Sequence, residues 1–422
     1  SQIHVDAGGP GHYGNFLLSP QTGLEVGSKD HYSDKANEVA LCGLYGVDLT
    51  RYNIRTEITP THNAAIYRFI YPESDESSLL IDLSHTIAGD VNKAVGMLLD
   101  GELNISEDGK TLNGWGSYRG GWNSEKYTLY FSARLNKQAS SSGTYVNREI
   151  REGTNSVKLQ TKIPALVYDS TLQQLVRNPK FQEPDKIGGF LRYQTQENDT
   201  LYLKLAISFL STDHASELLM EEIPGWDFSQ VKEECRELWN NELSKIQIYP
   251  GENFEGINNA DDQEVFYTAL YHTMMEPRNR NQHKPEHWGE DEPYWDEQYA
   301  IWDTYRTMYP LMLLINPDMV RNNVKFFSAL QKHEGFVGDG FVAGKIRIYS
   351  FAGNNQRLRY RWNQGGDNVD NFLTDAYVKG LDGINWEEVY DVLKHNADHL
   401  RADTYRENDR GWVPEDLGGH IY

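Results

Sequence analysis

Cysteine is scarce in this chain, which has only Cys42 and Cys235 among its 422 residues. Two cysteines are too few for the disulfide framework that stabilises small secreted domains. Cys42 lies in an apolar stretch and Cys235 on one face of a predicted helix, so we expect both side chains to be buried as small hydrophobic groups. Cysteine usage leaves the cellular compartment open.

Positive charge is in deficit, with 40 lysine and arginine residues against 62 aspartate and glutamate residues and a net charge of −22. Binding to nucleic acid irrespective of sequence, or to anionic lipid, requires a cationic surface, so we expect neither partner. No apolar run approaches the roughly 20 residues of a membrane-spanning helix, and we expect no membrane span. The residues from Ser1 onward lack the basic and apolar regions of a signal peptide, which is consistent with a processed or trimmed chain.

Motifs of high catalytic specificity are lacking as well. The sequence contains no HExxH, no paired CxxC, no GxSxG and no Walker phosphate loop. The glycine-rich segment Gly8–Gly14 lacks the Lys-Ser/Thr pair of a phosphate-binding loop, so we interpret it as a tight turn. The motif search therefore excludes the common zinc-protease, serine-hydrolase and nucleotide-binding classes of site.

Aromatic residues, by contrast, are abundant: 10 Trp, 26 Tyr and 15 Phe make up 12% of the chain. Several tryptophans lie in glycine- and asparagine-rich sequence typical of loops; these are Trp115, Trp122, Trp288, Trp295, Trp362 and Trp412. Aromatic rings on an acidic surface suit a neutral, polyhydroxylated ligand, because sugar C–H faces stack on rings while carboxylates accept hydroxyl hydrogen bonds. The alternative, that most of these rings belong to the core, stays open.

Residues 1–228 have the pattern of an antiparallel β-sandwich. Short segments rich in β-branched and aromatic residues, such as Ala64–Tyr71 and Tyr127–Leu135, alternate with turns rich in glycine, asparagine and serine. Parallel strands would need intervening helices, which the pattern does not show. We therefore predict a first domain over 1–228.

Helical periodicity dominates the rest of the chain. A helix with Ser229 as its N-cap begins a predicted linker over 229–260. Amphipathic helices joined by long aromatic loops then fill 261–422, with Asp303–Leu314 and Pro317–Lys332 as clear examples. Their succession resembles part of an α/α toroid. Because the ring is incomplete, we interpret the sequence as a fragment.

The segment Trp302–Arg306 carries the most informative chemistry. Asp303 is predicted where a helix begins, and unsatisfied first-turn N–H groups favour a carboxylate there. The residue is explained equally well as a helix cap or as a ligand for two adjacent sugar hydroxyls, with Trp302 and Arg306 nearby. Arg361 and Trp362 begin a second polar loop of this kind. The acidic loop Glu286–Glu297 lacks the spacing of an EF-hand, so we interpret it as solvated rather than as a calcium site.

Six segments in this order resemble glycoside hydrolase family 92, the calcium-dependent exo-acting α-mannosidases. The segments span almost the whole chain; they are Gly11–Thr22, Gly114–Phe131, Ala206–Ile246, Phe266–Met275, Ile301–Pro310 and Asp367–Gly380. The family fold implies a multidomain β + α chain, with an N-terminal antiparallel β-sandwich, a helical linker and an (α/α)6 barrel. On this resemblance, 261–422 would be the first part of the barrel.

The resemblance also implies an activity and a site. Family members remove terminal α-linked mannose with inversion, using a general acid and a base-activated water. By resemblance, Asp303 binds the terminal mannose, with Trp302, Arg361, Trp122 and His12 as further sugar-binding residues. Ca²⁺ would hold and distort the sugar, with most of its ligands outside this chain.

Three departures from the family pattern bear on activity. The EGNxxQY and NDDxGQ motifs that carry the acid, the base and most calcium ligands are absent, so we expect the catalytic pair beyond Tyr422 and an inactive isolated chain. The missing C-terminal half or a companion chain would then be a partner. In addition, Asn368 replaces a family histidine, and the usual opening HLSGxG is replaced by Ile3–Pro10, which points to an altered linkage or substrate preference.

The sequence therefore predicts an inverting exo-α-mannosidase, with α-1,2 linkages favoured, that acts on N-glycan-type or related mannosides in the periplasm or outside the cell. A non-catalytic carbohydrate-binding protein that uses the sandwich and the tryptophan loops is the alternative from another functional class. An exo-glycosidase of similar architecture that acts on glucosides is a third possibility.

Overall fold

The computed structural model describes residues 15–27, 30–85, 97–119, 126–160, 166–169, 174–177, 185–249, 259–298, 301–335, 337–338, 340–342, 344–346, 348–353, 356–361 and 368–397. The chain divides into two compact units. The first, here called the sheet unit, comprises Ser1–Val167 and Leu175–Glu242. The second, here called the helical unit, comprises Tyr168–Gln174 and Leu243–Tyr422. The division at Glu242 falls within the predicted linker 229–260.

The sheet unit is built from two antiparallel sheets. Their strands are β1 (Leu17–Thr22), β2 (Lys35–Leu41), β3 (Leu44–Leu49), β4 (Ile54–Pro60), β5 (Ala64–Tyr71), β6 (Ser74–Asp82), β7 (Met97–Ile105), β8 (Thr111–Arg119), β9 (Tyr127–Leu135), β10 (Ser141–Val146), β11 (Glu149–Glu152), β12 (Ser156–Gln160), β15 (Ile187–Thr195) and β16 (Asp199–Ser208). Two further strands, β13 (Leu166–Asp169) and β14 (Gln174–Arg177), pair only with each other, and each has residues in both units. Nine strands follow the order β12-β7-β8-β9-β16-β5-β4-β3-β2, and five follow β1-β6-β15-β10-β11. Every neighbouring pair in both sheets is antiparallel. The predicted antiparallel β-sandwich is confirmed as a pair of sandwich-like sheets.

The two sheets approach closely where glycine removes a side chain. Gly189 of β15 lies so near β7 that an added Cβ would come within 2.5 Å of Leu103 and 3.2 Å of Ile105. Such an approach allows the aromatic residues of both sheets to fill the space between them, and Phe16 packs on Phe131 with ring centroids 4.8 Å apart. The core between the sheets explains why the strands alternate between apolar and polar residues.

Strand β5 departs from simple alternation because both of its faces are covered. Two helices, α1 (Thr212–Glu222) and α2 (Phe228–Leu243), follow β16 and pack on the face opposite the second sheet. Ala64, Ile66 and Ala206 contact their apolar residues in one cluster. A strand that is buried on both faces is expected to have a nearly continuous apolar sequence, as Ala64–Tyr71 has.

The helix caps correct one prediction. Helix α1 begins at Ser211, whose side chain accepts a hydrogen bond from the His214 N–H at 3.0 Å. For α2, the carboxylate of Asp227 accepts from the Gln230 N–H at 3.0 Å, so the predicted cap at Ser229 is wrong by two residues. Aspartate and serine are both good caps, and both residues were available at the start of this helix.

A buried lysine joins the α1–α2 connection to the sheet. Lys204 of β16 is 2% exposed, and its ammonium group donates to the carbonyl oxygens of Ile223 at 2.6 Å and Pro224 at 3.1 Å. The ammonium also lies 4.9 Å from the centre of the Trp226 ring. Burial, followed by the nearby Arg134 charge, lowers the pKa of Lys204. These contacts replace the water that the charge loses on burial.

The two cysteines differ in exposure. Cys235 of α2 is buried, as expected, but Cys42 is exposed, so the expectation of burial is wrong for Cys42. The difference follows from position, because Cys42 lies in the turn that joins β2 to β3. Strand β2 is an edge strand of the nine-stranded sheet and is almost entirely exposed.

The helical unit contains α3 (Asn259–Thr273), α4 (Ile301–Thr304), α5 (Met308–Ile315), α6 (Pro317–Glu334), α7 (Asn368–Val378) and α8 (Trp386–His395). Short two-stranded pairs join them: β17 (Arg278–Asn279) with β18 (Trp295–Asp296), β19 (Phe341–Val342) with β20 (Lys345–Ile346), and β21 (Ile348–Gly353) with β22 (Gln356–Arg361). Side chains from α5 to α8 and from the loop before α4 form one hydrophobic core. The predicted helical region is confirmed, whereas its closure into an (α/α)6 barrel stays a prediction.

The predicted helix Asp303–Leu314 is two helices in the structure, α4 and α5, separated by Tyr305–Thr307. Pro310 gives the reason, because a proline inside a helix removes one hydrogen bond and clashes with the preceding turn. Near the start of α5 the missing N–H costs nothing. Among the described residues, no helix combines the length and apolar character needed to cross a bilayer.

Glu222 provides a test of how the sheet unit is held together. Its carboxylate accepts hydrogen bonds from the Asn63 N–H at 2.8 Å and the Asn63 amide at 2.7 Å, and from the Ala64 N–H and the Thr61 hydroxyl. Hydrogen bonds to a charged group contribute about 1.5–3 kcal/mol each. We expect Glu222→Ala to lower the free energy of unfolding by about 3 kcal/mol in urea denaturation.

Glu221→Ala is the matched control, since Glu221 is the exposed preceding residue of the same helix. It should change the free energy of unfolding by less than about 0.5 kcal/mol. Equal losses in the two variants would contradict the role of Glu222 as the residue that holds the turn between β4 and β5.

Candidate functional site

Trp302 and Asp303 lie together in the single turn of α4. Trp302 is half-buried and Asp303 is exposed. The helix starts at Ile301, so Asp303 lies within its first turn rather than at the cap position. Within the described part of the chain, the Asp303 carboxylate receives no hydrogen bond; only its backbone carbonyl does so, from the Thr307 hydroxyl at 3.1 Å.

Arg306 lies one helical turn beyond Trp302. Its guanidinium group donates to the Trp302 carbonyl at 3.0 Å and lies 5.3 Å from the centre of the Tyr305 ring. These contacts stabilise the segment that follows α4, where the helical hydrogen bonds of α4 end and those of α5 have not begun.

The other predicted sugar-binding residues are not brought to α4 by any described contact. His12 and Trp122 lie outside the described residues. Arg361 is the last residue of β22, where its backbone pairs with Ile348. The roles of these three residues stay predictions.

A buried ion-pair cluster precedes α4, and the sequence analysis missed it. The side chain of Glu297 is fully buried between Arg280, whose Nη2 lies 2.9 Å from Oε1, and Arg278, whose Nε lies 2.8 Å from Oε2. Arg280 is correctly aligned for a hydrogen bond, whereas the Arg278 Nε contact is an ion pair without that alignment. Burial raises the pKa of Glu297, while the two guanidinium groups oppose that shift by favouring the carboxylate.

The backbone at Glu297 is held in the left-handed region, with φ of 62°. A residue with a side chain pays about 1–2 kcal/mol for that conformation. The two ion pairs fix the side chain and so offset this cost. The arrangement fixes the direction of the backbone immediately after β18.

Gln298 extends the cluster through hydrogen bonds to three other segments. Its backbone N–H donates to the Phe341 carbonyl at 2.9 Å, and the Phe341 N–H donates back at 2.7 Å. Its side chain donates to Asn323 of α6 and accepts from the Tyr309 hydroxyl of α5, the latter at 2.8 Å. Burial raises the pKa of Tyr309, so the hydroxyl remains a neutral donor. Residues just before α4 are thus tied to both helices that follow it.

The acidic loop Glu286–Glu297 is not solvated along its length, so that expectation is wrong for part of it. Trp288, Tyr294 and Trp295 are buried in the core of the helical unit, and Trp288 stacks on Phe326 with centroids 5.9 Å apart. The physical reason is that aromatic residues every few positions outweigh the acidic ones between them. For Trp288 and Trp295 the core interpretation of the loop tryptophans is correct.

Glu292 fastens the same loop to the end of α6. Its carboxylate is bound by Lys332, by His333 and by the Gly289 N–H, the last at 2.9 Å. Burial raises the pKa of Glu292, but these hydrogen bonds outweigh burial and lower it to about 2. The His333 ring in turn lies 4.6 Å from the Trp288 ring. A charged contact at the surface therefore anchors an aromatic residue of the core.

Metal ligands do not converge within the part of the chain that the structure describes. No three His, Cys, Asp or Glu side chains come together there in an arrangement that could hold a metal ion. Both carboxylate oxygens of Glu297 are already engaged by arginine. The described residues therefore do not provide the cluster of oxygen ligands that calcium prefers, and the expected Ca²⁺ stays a prediction.

The sheet unit contains a separate cavity of about 390 Å³. It lies beside β15, the start of β16 and the segment after β9, and its polar lining includes Lys137, Asp199 and Gln194. Lys137 and Asp199 form an ion pair across part of the lining. The cavity can hold a small polar molecule.

The ion pairs of Glu297 can be tested through stability. Removing one partner of a buried ion pair leaves uncompensated charge, so we expect Glu297→Gln to lower the free energy of unfolding of the helical unit by about 3–5 kcal/mol. Glu290→Gln is the matched control, since Glu290 is exposed in the same region of the sequence. Urea denaturation followed by tryptophan fluorescence gives both values, and a loss below about 1 kcal/mol for Glu297→Gln would contradict the role of the ion pairs.

Two family models match this chain in sequence. The glycosyl hydrolase family 92 N-terminal domain matches residues 1–208, and the glycosyl hydrolase family 92 catalytic domain matches residues 214–420. Together they account for nearly the whole chain. The match of the catalytic domain covers the residues that we expected to form only the first part of a barrel.

Individual relatives agree with the family models. An uncharacterised secreted glycosidase of Arthroderma benhamiae is 25% identical over an alignment of 434 positions, which covers 98% of this chain and 46% of the relative. The α-mannosidase BT3965 of Bacteroides thetaiotaomicron has a TM-score of 0.70 at 22% identity, covering 96% of this chain and 50% of its own. The inverting mannosidase BT2199 of the same organism has a TM-score of 0.71 at 18% identity, and the match covers 95% of this chain and 49% of the BT2199 chain.

This chain thus spans about half the length of the relatives that it matches. The structural likeness shows a shared fold, and the matched models cover both the sheet unit and the helical unit. The chain belongs to glycosyl hydrolase family 92.

Proposed function

We propose that this protein is an inverting exo-α-mannosidase that removes terminal α-linked mannose, with α-1,2 linkages favoured, from N-glycan-type or related mannosides. Membership in glycosyl hydrolase family 92 supports the proposal, together with the mannosidase names of two relatives of the same fold. The single observation that carries it to particular residues is the exposed Asp303 carboxylate beside Trp302, which has no hydrogen-bond partner among the described residues and follows the buried cluster in the sequence.

In this proposal Asp303 binds the terminal mannose. An ionised carboxylate has two oxygens that can accept from two neighbouring hydroxyl groups, which fixes both the position and the rotation of a sugar ring. Trp302 offers an indole face for the apolar side of the sugar. Arg361, Trp122 and His12 are proposed to complete the sugar-binding residues.

A fixed orientation of the bound sugar explains how such a site would aid the reaction. Inversion requires a general acid on one side of the glycosidic bond and a base-activated water on the other, with two carboxyl groups roughly 6.5–9.5 Å apart. A sugar held in one orientation meets both groups without further loss of rotational freedom. Asp303 supplies positioning in this scheme, and the acid and base are not assigned to residues of this chain.

Asp303→Asn is the direct test of the proposal. The amide keeps the size of the side chain but loses the charge that strengthens hydrogen bonds to sugar hydroxyls. With the protein expressed from its intact gene, we expect kcat/KM for an α-1,2-linked mannobioside to fall about 100-fold, while the unfolding temperature is unchanged.

Asp291→Asn is the control, because Asp291 is an exposed acidic residue of the loop before α4. It should leave kcat/KM unchanged. Unchanged kinetics in Asp303→Asn would remove Asp303 from the site. Hydrolysis of glucosides instead of mannosides would assign the protein to a glucoside-cleaving reaction and reject the mannosidase proposal.

Calcium dependence is a second proposal, taken from the family resemblance. We expect excess EGTA to abolish mannoside hydrolysis and added Ca²⁺ to restore it. Magnesium is the matched control, because it demands tighter octahedral geometry and should not restore the rate. Full activity in excess EGTA would contradict a calcium requirement.

A non-catalytic carbohydrate-binding protein is the second candidate function, and the cavity of the sheet unit is the observation that favours it. Its lining combines an ion pair with amide and hydroxyl groups, as polar ligands require. Mannose binding without any hydrolysis, measured by calorimetry and sugar analysis, would favour this candidate. Loss of that binding in Lys137→Ala, with binding retained in Asp303→Asn, would assign it to the cavity.

We propose that the protein lies outside the cytosol, in the periplasm or outside the cell, because the glycosidase of Arthroderma benhamiae that it resembles is described as secreted. Terminal mannosides of glycoproteins occur in such compartments, which agrees with the proposed substrate. Expression of the intact gene in its native host, followed by fractionation, tests the location directly.

A further inference from the structure

The turn between β2 and β3 is packed directly on helix α2. Gly43 in this turn is buried, and its φ of 80° is a conformation that side chains rarely adopt. A Cβ added at Gly43 would lie 2.9 Å from the Cys235 Sγ and 3.1 Å from the Cys235 Cβ. The turn therefore meets α2 at Cys235, and only glycine allows so close an approach.

Cys42 is the residue immediately before Gly43, so the fold brings the two cysteines of the chain to neighbouring positions. Adjacent Cα atoms are about 3.8 Å apart, which places the Cys42 backbone within one residue of the atoms that touch Cys235. Disulfides join Cα atoms about 4.4–6.8 Å apart, so formation of the bond would require the turn at Cys42 to place its Cα within that range of the Cys235 Cα. Both cysteines are free in the structure, with Cys42 exposed and Cys235 buried.

We propose that Cys42 and Cys235 form a disulfide bond that fastens the β2–β3 turn to helix α2, with a small-molecule or protein disulfide as the oxidant. The proposal does not depend on the mannosidase activity.

The chemistry is a double thiol–disulfide exchange. The exposed Cys42 thiolate attacks the oxidant, which forms a mixed disulfide and releases the first thiol. The Cys235 sulfur then attacks the Cys42 sulfur, forming the internal bond and releasing the second thiol. Two protein thiols are oxidised, one disulfide is reduced to two thiols, and the two protons pass to the released thiols.

The thiols themselves set the rate of this exchange. Partial burial of its thiol raises the pKa of Cys42. Burial, followed by the nearby Cys42, raises the pKa of Cys235. Since the thiolate is the attacking form, we expect the exchange to be slow near neutral pH and faster as the pH rises.

The bond would protect an exposed sheet edge. β2 is the last strand of the nine-stranded sheet, and Leu41 at its end is 66% exposed. Leu238, one helical turn beyond Cys235, is 67% exposed. An exposed apolar edge strand invites pairing with other chains, and a covalent link to α2 would hold it in place.

Thiol titration and peptide mapping test the proposal without an activity assay. The full chain is incubated with oxidised glutathione at pH 8, denatured, alkylated and digested without reduction. We expect the number of titratable thiols to fall from two to none, and a Cys42–Cys235 linked peptide to appear two hydrogens lighter than the free peptides. The oxidised protein should unfold several degrees higher than the reduced protein, because the link joins distant parts of the sequence.

Cys42→Ser and Cys235→Ala are the matched controls, and oxidised glutathione should not raise the unfolding temperature of either variant. If one of them fails to fold, the other serves with the peptide map. Two thiols that remain free would overturn the proposal. So would a stable glutathione adduct on Cys42 beside a free Cys235, or a dimer linked through Cys42.

Discussion

The buried carboxylate of Glu297, held by Arg278 and Arg280, is the constraint on which the candidate site depends. The Glu297 and Arg280 side chains are withdrawn from water together, whereas Arg278 stays partly exposed, so the buried charges depend on one another for the hydration that they lose. The same contact holds the Glu297 backbone in a left-handed conformation. Gln298 follows directly and is bound to α5, α6 and Phe341, so the position of this segment is fixed against both helices.

Fixed geometry of this kind suits a sugar site. A pyranose offers hydroxyl groups in defined directions, and a carboxylate must be held in place to select among them. Asp303 itself is exposed and has no partner among the described residues. In the proposed site, the buried polar groups that precede Asp303 in the sequence fix the nearby backbone, and the carboxylate would remain free to accept hydrogen bonds from the sugar.

Local sequence patterns predicted the strands, turns and helices whose formation depends mainly on neighbouring residues. Alternating strands and polar turns predicted the antiparallel sheets, and the helix predicted over Pro317–Lys332 agrees with α6 to within two residues, with Asn316 as its cap and Gly335 at its end in the structure. Trp302 and Asp303 were predicted as sugar-binding residues because their segment is short and distinctive, and that role stays a prediction. The resemblance to family 92 was confirmed by models that match both parts of the chain.

Contacts between distant residues were not predictable in the same way. Arg280 and Glu297 are seventeen positions apart, and nothing in the loop pattern shows that the carboxylate turns inward. The acidic residues around Trp288 and Trp295 suggested solvent, although their rings are in the core. The Arg-Asn-Arg sequence at 278–280 before this loop was the one available signal, since paired arginines near a buried segment require a carboxylate.

Lys204 has a consequence for how the sheet unit tolerates change. Its ammonium group is satisfied by the carbonyl oxygens of Ile223 and Pro224, so the short connection between α1 and α2 serves as the solvation shell of a strand residue. Most surface connections tolerate a break or an insertion. In this connection, either change would remove the carbonyl oxygens from the Lys204 ammonium group and leave a buried charge without hydrogen-bond acceptors. We therefore expect insertions and changes of length to be tolerated better in other loops of the sheet unit than in the connection between α1 and α2.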